Sequence, residues 1–353
     1  MRMVTTTTDQ TLTRIDAAIE GNQSRRQRAH LGWSIIGNEC ERALWFGFRH
    51  ATPIDHPARL LRIFRRGNAE EPVFYDMLRA ADITVWDEDP ETGGQWMVSE
   101  VGGHFGGSLD GVVMGLPEAP ESPHVLELKT SSDKAFRALL KSGSVQNARP
   151  IHYSQMQGYM LQMQIEWALY MVVNKSDDAL YLERVPLDRE FAQTQLDKAK
   201  RVITSDWPPA GVSDDPAWFE CRFCDHHAVC HGQRAPQVSC RTCSYATPEM
   251  DGDGRWTCGR DGRDLSAEDQ RIACDQHIFI PSLFEWAEIE DGDKTFVEYR
   301  TKSNGHIWRN GQDGYSSREI AAAADLNALG HPAIDALRDR FDGGGRYAVL
   351  DLG

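Results

Sequence analysis

The chain has 353 residues, of which 41% are apolar and 26% are charged, and its formal net charge is −15. This composition is that of a folded globular protein with enough length for one large domain or two smaller ones. No run of about 18 apolar residues occurs, so we expect no membrane span. The first residues also lack the apolar stretch of a secretory signal. We therefore predict a protein of the reducing cytoplasm.

The charge is distributed unevenly along the chain. Residues 21–70 contain nine arginines and four acidic residues, whereas residues 251–353 contain 20 acidic and 12 basic residues. A DNA-binding surface needs only a local positive field, so the acidic total does not exclude DNA as a partner. The arginines of the first range could equally form a solvated helical surface, and the sequence leaves both interpretations open.

The spacing of apolar residues predicts the secondary structure in chain order. Residues 1–30 are polar and then basic, and we expect this segment to be partly disordered. Helical spacing follows, with a helix at 70–81 because Glu71-Pro72 is typical of a helix start. The later predicted elements are strands at 83–86, 95–101, 107–114 and 124–128, a helix at 151–174, a strand at 179–185 and a helix at 189–203. This order predicts a mixed α/β domain.

Two carboxylates and a lysine are the strongest catalytic candidates. Glu127 and Lys129 lie two apart in HVLELKT, so a strand would place both side chains on one face and Leu126 and Leu128 on the other. Asp110 precedes them in the glycine-rich GGSLDGVV. Converging carboxylates favour Mg²⁺ or Mn²⁺, and an adjacent ammonium can orient water and stabilise negative charge. Taken alone, a Glu-x-Lys pair is also common on solvated edge strands.

Four local motifs resemble the PD-(D/E)xK nuclease superfamily, in its RecB-like and lambda-exonuclease-like branch. They are RGNAEEP (66–72), SLDG (108–111), LELKT (126–130) and YSQMQGYM (153–160). The first is similar to the family's glycine–glutamate helix motif and the last to its Gln-x-x-x-Tyr motif. The family's proline before Asp110 is missing. The resemblance implies a restriction-endonuclease-like core over 31–235, in which helices flank a mixed central sheet.

The same resemblance assigns the catalytic residues of this core. They are Glu71, Asp110, Glu127, Lys129, Gln155 and Tyr159. The aspartate and the strand glutamate would bind Mg²⁺ or Mn²⁺, the lysine would be catalytic, and the helix glutamate would support metal binding. The glutamine and tyrosine, four apart on one helical face, would position water, the lysine or the DNA backbone. Glu70 and Gln157 compete with Glu71 and Gln155 for these roles.

A first set of cysteines brackets this core. Three of them lie in CRFCDHHAVC, and the nearest upstream cysteine is far away in the chain. The split pattern resembles the iron–sulfur nucleases of the AddB-type and CRISPR-associated RecB-like groups, and it implies a 4Fe–4S cluster. The implied ligands are Cys40, Cys221, Cys224 and Cys230. Four thiolates also suit a structural zinc ion, for which His226, His227 or His231 could substitute. Either metal would close a long loop and stabilise the fold.

A second set of cysteines follows in residues 236–353, which we predict to be a small module similar to a zinc ribbon. Its candidate zinc ligands are Cys240, Cys243, Cys258 and Cys274. His277, three residues beyond the last cysteine, could replace Cys274. The spacing also allows free cysteines in a small β module. Such a module could grip DNA, bind a recombination partner or stabilise the fold.

The sequence thus predicts a metal-dependent DNA exonuclease that processes DNA ends in recombination or repair. The resemblance points to a phage or prophage origin, and a single-strand annealing or recombination protein is a candidate partner. The alternative is a catalytically inactive, metal-stabilised DNA-binding or adaptor protein. An iron–sulfur electron carrier is disfavoured because the compact cysteine run of ferredoxins is missing. Cleavage polarity, strand preference and oligomeric state stay open.

Overall fold

The computed structural model describes residues 9–23 and 27–340. Its helices are α1 (Asp9–Gly21), α2 (Trp33–Ile36), α3 (Glu41–Phe48), α4 (Ala58–Ala80), α5 (Asp133–Ser142), α6 (Val145–Ala148), α7 (Pro150–Met163), α8 (Arg189–Thr204), α9 (Phe219–Arg222), α10 (His227–Cys230), α11 (Ser317–Ala322) and α12 (Pro332–Arg340). Its strands are β1 (Leu31–Gly32), β2 (Thr84–Trp86), β3 (Met97–Glu100), β4 (Phe105–Ser108), β5 (Gly111–Met114), β6 (His124–Ser131), β7 (Trp167–Asn174), β8 (Leu180–Pro186), β9 (Ala246–Pro248), β10 (Trp256–Cys258), β11 (Ala287–Gly292), β12 (Phe296–Thr301) and β13 (Ile307–Gly311). The predicted mixed α/β class is confirmed.

A five-stranded sheet organises the first two thirds of the chain. Its order is β2-β5-β6-β7-β8, and all neighbours are antiparallel except the parallel pair β6 and β7. In β6 the side chains alternate between the two faces of the sheet. Leu126 and Leu128 pack with Phe74 and Leu78 of α4, as the alternation predicts. Glu127 is therefore on the other face, which α7 covers.

The strand predicted at 107–114 is wrong as a single element. It is two strands, because β4 pairs with β1 and β3 in a three-stranded sheet while β5 belongs to the five-stranded sheet. The break occurs at Gly111, whose φ of 151° a residue with a side chain rarely adopts, and a Cβ there would lie 2.8 Å from the carbonyl oxygen of Trp86. The break leaves Asp110 between the two sheets.

The helix predicted at 151–174 is wrong in its second half. Helix α7 ends at Met163, and Gln164 then adopts a left-handed conformation with a φ of 56°. The following WALYMVVN forms β7, which is almost wholly buried between β6 and β8. A continuous apolar run has no period of its own, so it fits a buried strand as well as a helix. Pairing with the neighbouring strands decides the outcome.

The separate helix predicted at 70–81 is also wrong, because one helix, α4, runs from Ala58 to Ala80 through Pro72. Proline lacks the N–H that would bond to the carbonyl of Asn68 and normally breaks a helix. Here Phe74 and Leu78, which follow the proline, are buried against the sheet. We attribute the continuity of α4 to this packing, which outweighs the local cost.

Part of the N-terminal segment is ordered, since residues 9–21 form α1. Residues 22–23 and 27–30 of this segment are described as turns, bends or irregular structure, and residues 1–8 and 24–26 lie outside the described residues. None of the described helices combines the length and apolarity that crossing a membrane requires.

The hydrophobic core continues across the boundary that we predict between residues 235 and 236. Arg241, which is buried, lies over the rings of Phe48 and Trp256, at 5.5 Å and 4.6 Å from their centroids. Its guanidinium donates to the carbonyl oxygens of Ala29 at 2.7 Å and Phe48 at 3.0 Å. The cysteine-rich segment therefore packs directly against the N-terminal part of the chain.

Candidate active site

The centre of the candidate site is a buried carboxylate on β6. Glu127 has no exposed surface, and neither of its oxygens accepts a hydrogen bond of ordinary geometry. The ammonium of Lys129 forms an ion pair with Oε1, which leaves Oε2 without a partner. Burial raises the pKa of Glu127 to about 7, although Lys129 opposes the rise. A buried carboxylate is costly unless it is paired or binds a cation, so Glu127 calls for a further positive charge.

Lys129 provides a fixed positive charge at this position. Its side chain is 28% exposed. Burial alone would lower the pKa of Lys129, but the carboxylates of Glu127 and Asp110 more than offset this effect, and the pKa is raised. Lys129 is therefore an ammonium at neutral pH, and it can donate hydrogen bonds to water or to a phosphate oxygen.

Asp110 is held beside Glu127 by two hydrogen bonds. The backbone N–H of Leu128 donates to its Oδ2 at 2.7 Å, and the hydroxyl of Tyr75 donates to its backbone carbonyl at 2.7 Å. Burial raises the pKa of Asp110, while Lys129 and the Leu128 amide oppose the rise. Tyr75 is not among the residues predicted from the sequence, although its position four residues after Glu71 places both on one face of α4.

The remaining predicted residues reach the same cluster from two helices. Glu71 lies one turn before Tyr75 on α4, and Tyr75 bonds to Asp110, so Glu71 is on the side of α4 that meets Asp110. Burial, and then the charge of Asp110, raise the pKa of Glu71. On α7, Gln155 donates to the hydroxyl of Tyr159 at 3.4 Å. The pKa of Tyr159 is raised by burial and by the charge of Glu127. The structure thus brings all six predicted residues together around β6.

Gln157, the competitor of Gln155, is engaged in the fold. Its Nε2 donates to the carbonyl oxygen of Pro186 at 2.8 Å, and the backbone N–H of Asp188 donates to its Oε1 at 2.7 Å. These bonds tie α7 to the end of β8 and the start of α8. Gln157 is buried, with neither end of its amide directed to the site.

His152 and Tyr170, two polar residues beside Lys129, are not among the site residues predicted from the sequence. The Nδ1 of His152 and the hydroxyl of Tyr170 are 2.7 Å apart, and Tyr170 lies opposite Glu127 in the pairing of β6 with β7. Burial, and then the charge of Lys129, lower the pKa of His152 to about 3, so its ring is neutral. They line a cleft of about 400 Å³. Its other polar lining residues include Thr130, Ser131, Ser132 and Arg149.

The first cysteine set converges from distant parts of the chain. Cys40 precedes α3, and the other three cysteines lie around α9 and α10. Burial is the main cause of the raised pKa of each of these three thiols, and the charge of Cys40 adds to it. All four are free thiols. The guanidinium of Arg42 lies 3.7 Å from the sulfur of Cys230. Of the substitute ligands, His226 uses its Nδ1 in a contact with Thr52.

The second cysteine set lines one cavity of about 240 Å³. Its sulfur ligands would be Cys240, Cys243, Cys258 and Cys274, which are also free thiols. Burial raises the pKa of Cys240 to about 12, and the other three cysteines add to the rise. The Nε2 of His277 lies 3.0 Å from the carbonyl oxygen of Ser239, while its buried Nδ1 has no hydrogen-bond partner. Only Nδ1 of His277 is therefore available as a ligand.

The candidate metal ligands do not form complete coordination sites in the described part of the chain. Over residues 9–23 and 27–340, no three His, Cys, Asp or Glu side chains come together in a way that could hold a metal ion. An ion at the carboxylates or at either cysteine set would therefore require its ligands to rotate from the positions described here. The donor types nevertheless fit, since carboxylate oxygens suit Mg²⁺ or Mn²⁺ and thiolates suit zinc or iron.

Comparison with known proteins finds distant similarity to solved structures of an alkaline exonuclease and of SSO0001. No family model matches the chain, and no curated protein matches it. An alkaline exonuclease (LHK-Exo) from Laribacter hongkongensis is 14% identical with a TM-score of 0.37, over 54% of this chain and 90% of that chain. The same enzyme in complex with dAMP is 15% identical, with the same TM-score and coverage. SSO0001 is 14% identical with a TM-score of 0.35, over 64% of this chain and 96% of that chain.

Proposed function

We propose that this chain is a metal-dependent DNA nuclease that hydrolyses phosphodiester bonds at the Glu127 site. The observation that carries the proposal is the Oε2 of Glu127, a fully buried carboxylate oxygen without a partner, beside Lys129 and Asp110. A carboxylate that only stabilised the fold would be hydrogen-bonded or exposed. A divalent cation shared with Asp110 would supply the missing partner.

Each residue of the site would have its own role in the hydrolysis. Asp110 and Glu127 would hold Mg²⁺ or Mn²⁺, with Glu71 in support, and the bound ion supplies Lewis-acid chemistry to the phosphodiester. The ammonium of Lys129 orients the attacking water and stabilises the negative charge that develops on the phosphate. Tyr159, which accepts a hydrogen bond from Gln155, positions water, Lys129 or the DNA backbone on the side of the site that α7 covers.

We extend the proposal to the processing of DNA ends, in recombination or repair, as the motif resemblance implies. A single-strand annealing or recombination protein is the proposed partner. The alternative function, an inactive DNA-binding or adaptor protein, makes a different prediction, because it would bind DNA but leave it intact under every metal condition.

We predict that the purified protein degrades linear DNA from its ends with Mg²⁺ or Mn²⁺ and leaves covalently closed circles intact. Lys129→Ala should reduce the rate about 10²- to 10⁴-fold, because it removes the charge that stabilises the transition state. Lys134→Ala, which removes an exposed lysine of α5, is the matched control and should cleave normally. A time course on duplexes and single strands labelled at either end gives polarity and strand preference. If wild-type protein leaves all DNA forms intact with both ions, the nuclease proposal is wrong.

We also propose structural metals at the two cysteine sets, with a 4Fe–4S cluster at the first and zinc at the second. The convergence of Cys40 with a triplet about 180 residues away supports the first, since a metal clasp over a long loop restricts the unfolded chain. The four thiols around one cavity support the second. Zinc at the first set is the alternative.

For this proposal we expect brown protein after anaerobic purification, with about four iron atoms and one zinc ion per chain. Cys221→Ser/Cys224→Ser should remove the iron and keep the zinc, and Cys240→Ser/Cys243→Ser should do the reverse. Elemental analysis and thermal melting of each variant check this. Colourless protein with two zinc ions would assign zinc to both sets, and metal-free protein would contradict both assignments.

A further inference from the structure

The N-terminal half of α4 carries four arginines that the proposed catalytic site does not use. Arg59, Arg62, Arg65 and Arg66 are all exposed. Residues 56–69 contain no acidic residue, although the chain as a whole has a net charge of −15. With 3.6 residues per turn, the four side chains lie within about a third of the helix circumference. We call this set the arginine face.

Most of the arginine face has no carboxylate partner within the described part of the chain. Arg62 forms an ion pair with Asp16 of α1. Arg66 donates to the backbone carbonyl of Lys175 at 3.3 Å and forms no ion pair among the described residues. Arg59 and Arg65 make neither an ion pair nor a side-chain hydrogen bond with any described residue. Arg62 is therefore engaged by α1, but the other three charges are available to an external anion.

The arginine face is connected to the edge of the cleft through Arg66. Glu71 lies five residues beyond Arg66, but at about 100° per residue its side chain is on the other side of α4, the side that carries Phe74 and Leu78. Lys175, whose carbonyl accepts from Arg66, donates its own backbone N–H to the carbonyl oxygen of Ser131 at 2.9 Å. Ser131 and Lys129 both line the 400 Å³ cleft. Arg66, at the end of the arginine face, therefore lies near the strand ends that border the cleft.

We propose that the arginine face binds the phosphate backbone of the DNA strand and guides it into the cleft beside Lys129. This inference rests on the proposed nuclease function. Arg59 and Arg65 are six residues apart, about 9 Å along the helix, so they can contact different phosphates of a strand that carries one phosphate per about 3.4 Å of axis. A positive helix face on an otherwise acidic protein also favours DNA binding near the edge of the cleft that Ser131 lines.

The test is DNA binding by Arg59→Gln/Arg65→Gln in a Lys129→Ala background, in which the DNA stays intact. These two arginines have no partners in the described structure, and glutamine keeps their helix propensity, so the fold should be unaffected. Fluorescence anisotropy with a labelled duplex is measured at several salt concentrations. The slope of log K against log salt should become less steep by about 1.8, and affinity near 0.1 M salt should fall by more than about tenfold. Arg234→Gln/Arg260→Gln removes the same charge from exposed positions of the C-terminal third and should keep the slope.

Hydrolysis of a small substrate separates this inference from the proposed function. With Lys129 intact, the Arg59→Gln/Arg65→Gln variant should hydrolyse thymidine 5′-(4-nitrophenyl phosphate) at the wild-type rate, because that ester is too short to reach the arginine face. If wild-type protein does not hydrolyse the ester, the nuclease function is contradicted. The DNA-binding measurement can still be interpreted in that case. An unchanged salt slope, an equal loss in the Arg234/Arg260 control, or no DNA binding by the parent protein would overturn the role of the arginine face.

Discussion

Glu127→Gln should abolish DNA hydrolysis and leave the metal-free protein at least as stable as wild type at pH 8. Glutamine has the same shape but cannot hold a divalent cation as a carboxylate does, so we expect a loss of activity on the order of 10³-fold or more. The fold should not suffer, because the wild-type carboxylate is fully buried and its Oε2 has no partner. Lys129 is partly exposed and can be solvated when its partner is neutral.

The effect of pH on stability follows from the direction of the pKa shift. Burial raises the pKa of Glu127 from its ordinary value of 4.5 to about 7. Between pH 4.5 and 7 this carboxyl is ionised in the unfolded chain but still protonated in the folded protein. The free energy of unfolding therefore falls as pH rises through this range, and the loss is complete above pH 7. The gain from Glu127→Gln should therefore be largest at pH 8 and smaller at pH 5, in thermal melts with EDTA.

Glu183→Gln is the matched control for this prediction. Its carboxylate on β8 accepts hydrogen bonds from the backbone N–H of Val145 at 2.7 Å and from the hydroxyl of Tyr181 at 2.8 Å. Weakening these charge-assisted bonds should lower stability by about 1 kcal/mol and leave DNA cleavage unchanged. A Glu127→Gln protein that melts lower than wild type and still cleaves DNA would show that Glu127 is a structural residue.

Gly158→Ala should destabilise the protein by about 3 kcal/mol or more. Gly158 lies in α7 between Gln157 and Tyr159, and a Cβ at this position would overlap the Cε3 and Cζ3 atoms of Trp33. The ring of Trp33 cannot move away easily, because it is fully buried and its Nε1 donates to Gln162 at 3.0 Å. Overpacking a rigid core costs about 1–3 kcal/mol and more where the backbone must shift.

Gly67→Ala is the control, and we expect it to change the stability in the opposite direction. Gly67 also lies inside a long helix, α4, but a Cβ there would meet nothing within 4 Å. Alanine should therefore stabilise the helix by about 0.5–1 kcal/mol, through its higher helix propensity alone. Chemical denaturation of both variants checks the pair. Equal destabilisation by the two substitutions would contradict the close packing of α7 on α2.

The sequence by itself determined what depends on local geometry. The alternation of a strand places Glu127 and Lys129 on one face and Leu126 and Leu128 on the other, whatever the surrounding fold. The glycines around Asp110 indicated a bend, and the four-residue spacing of Gln155 and Tyr159 indicated a shared helical face. These relations follow from backbone periods of 2 and 3.6 residues, which short segments carry without tertiary contacts.

Only the tertiary structure decided what depends on contacts between distant segments. An apolar run reads equally as helix or strand, so β7 was settled by its pairing with β6 and β8, and that pairing also places Tyr170 opposite Glu127. In the sequence Gln157 competes with Gln155, although the spacing favours Gln155. The bonds of Gln157 to Pro186 and Asp188 show that Gln157 is engaged in the fold. Only the tertiary structure shows that an oxygen of Glu127 is buried without a partner. Burial and loss of hydrogen-bond partners are properties of the packed molecule, and they turned a common Glu-x-Lys pair into a candidate catalytic site.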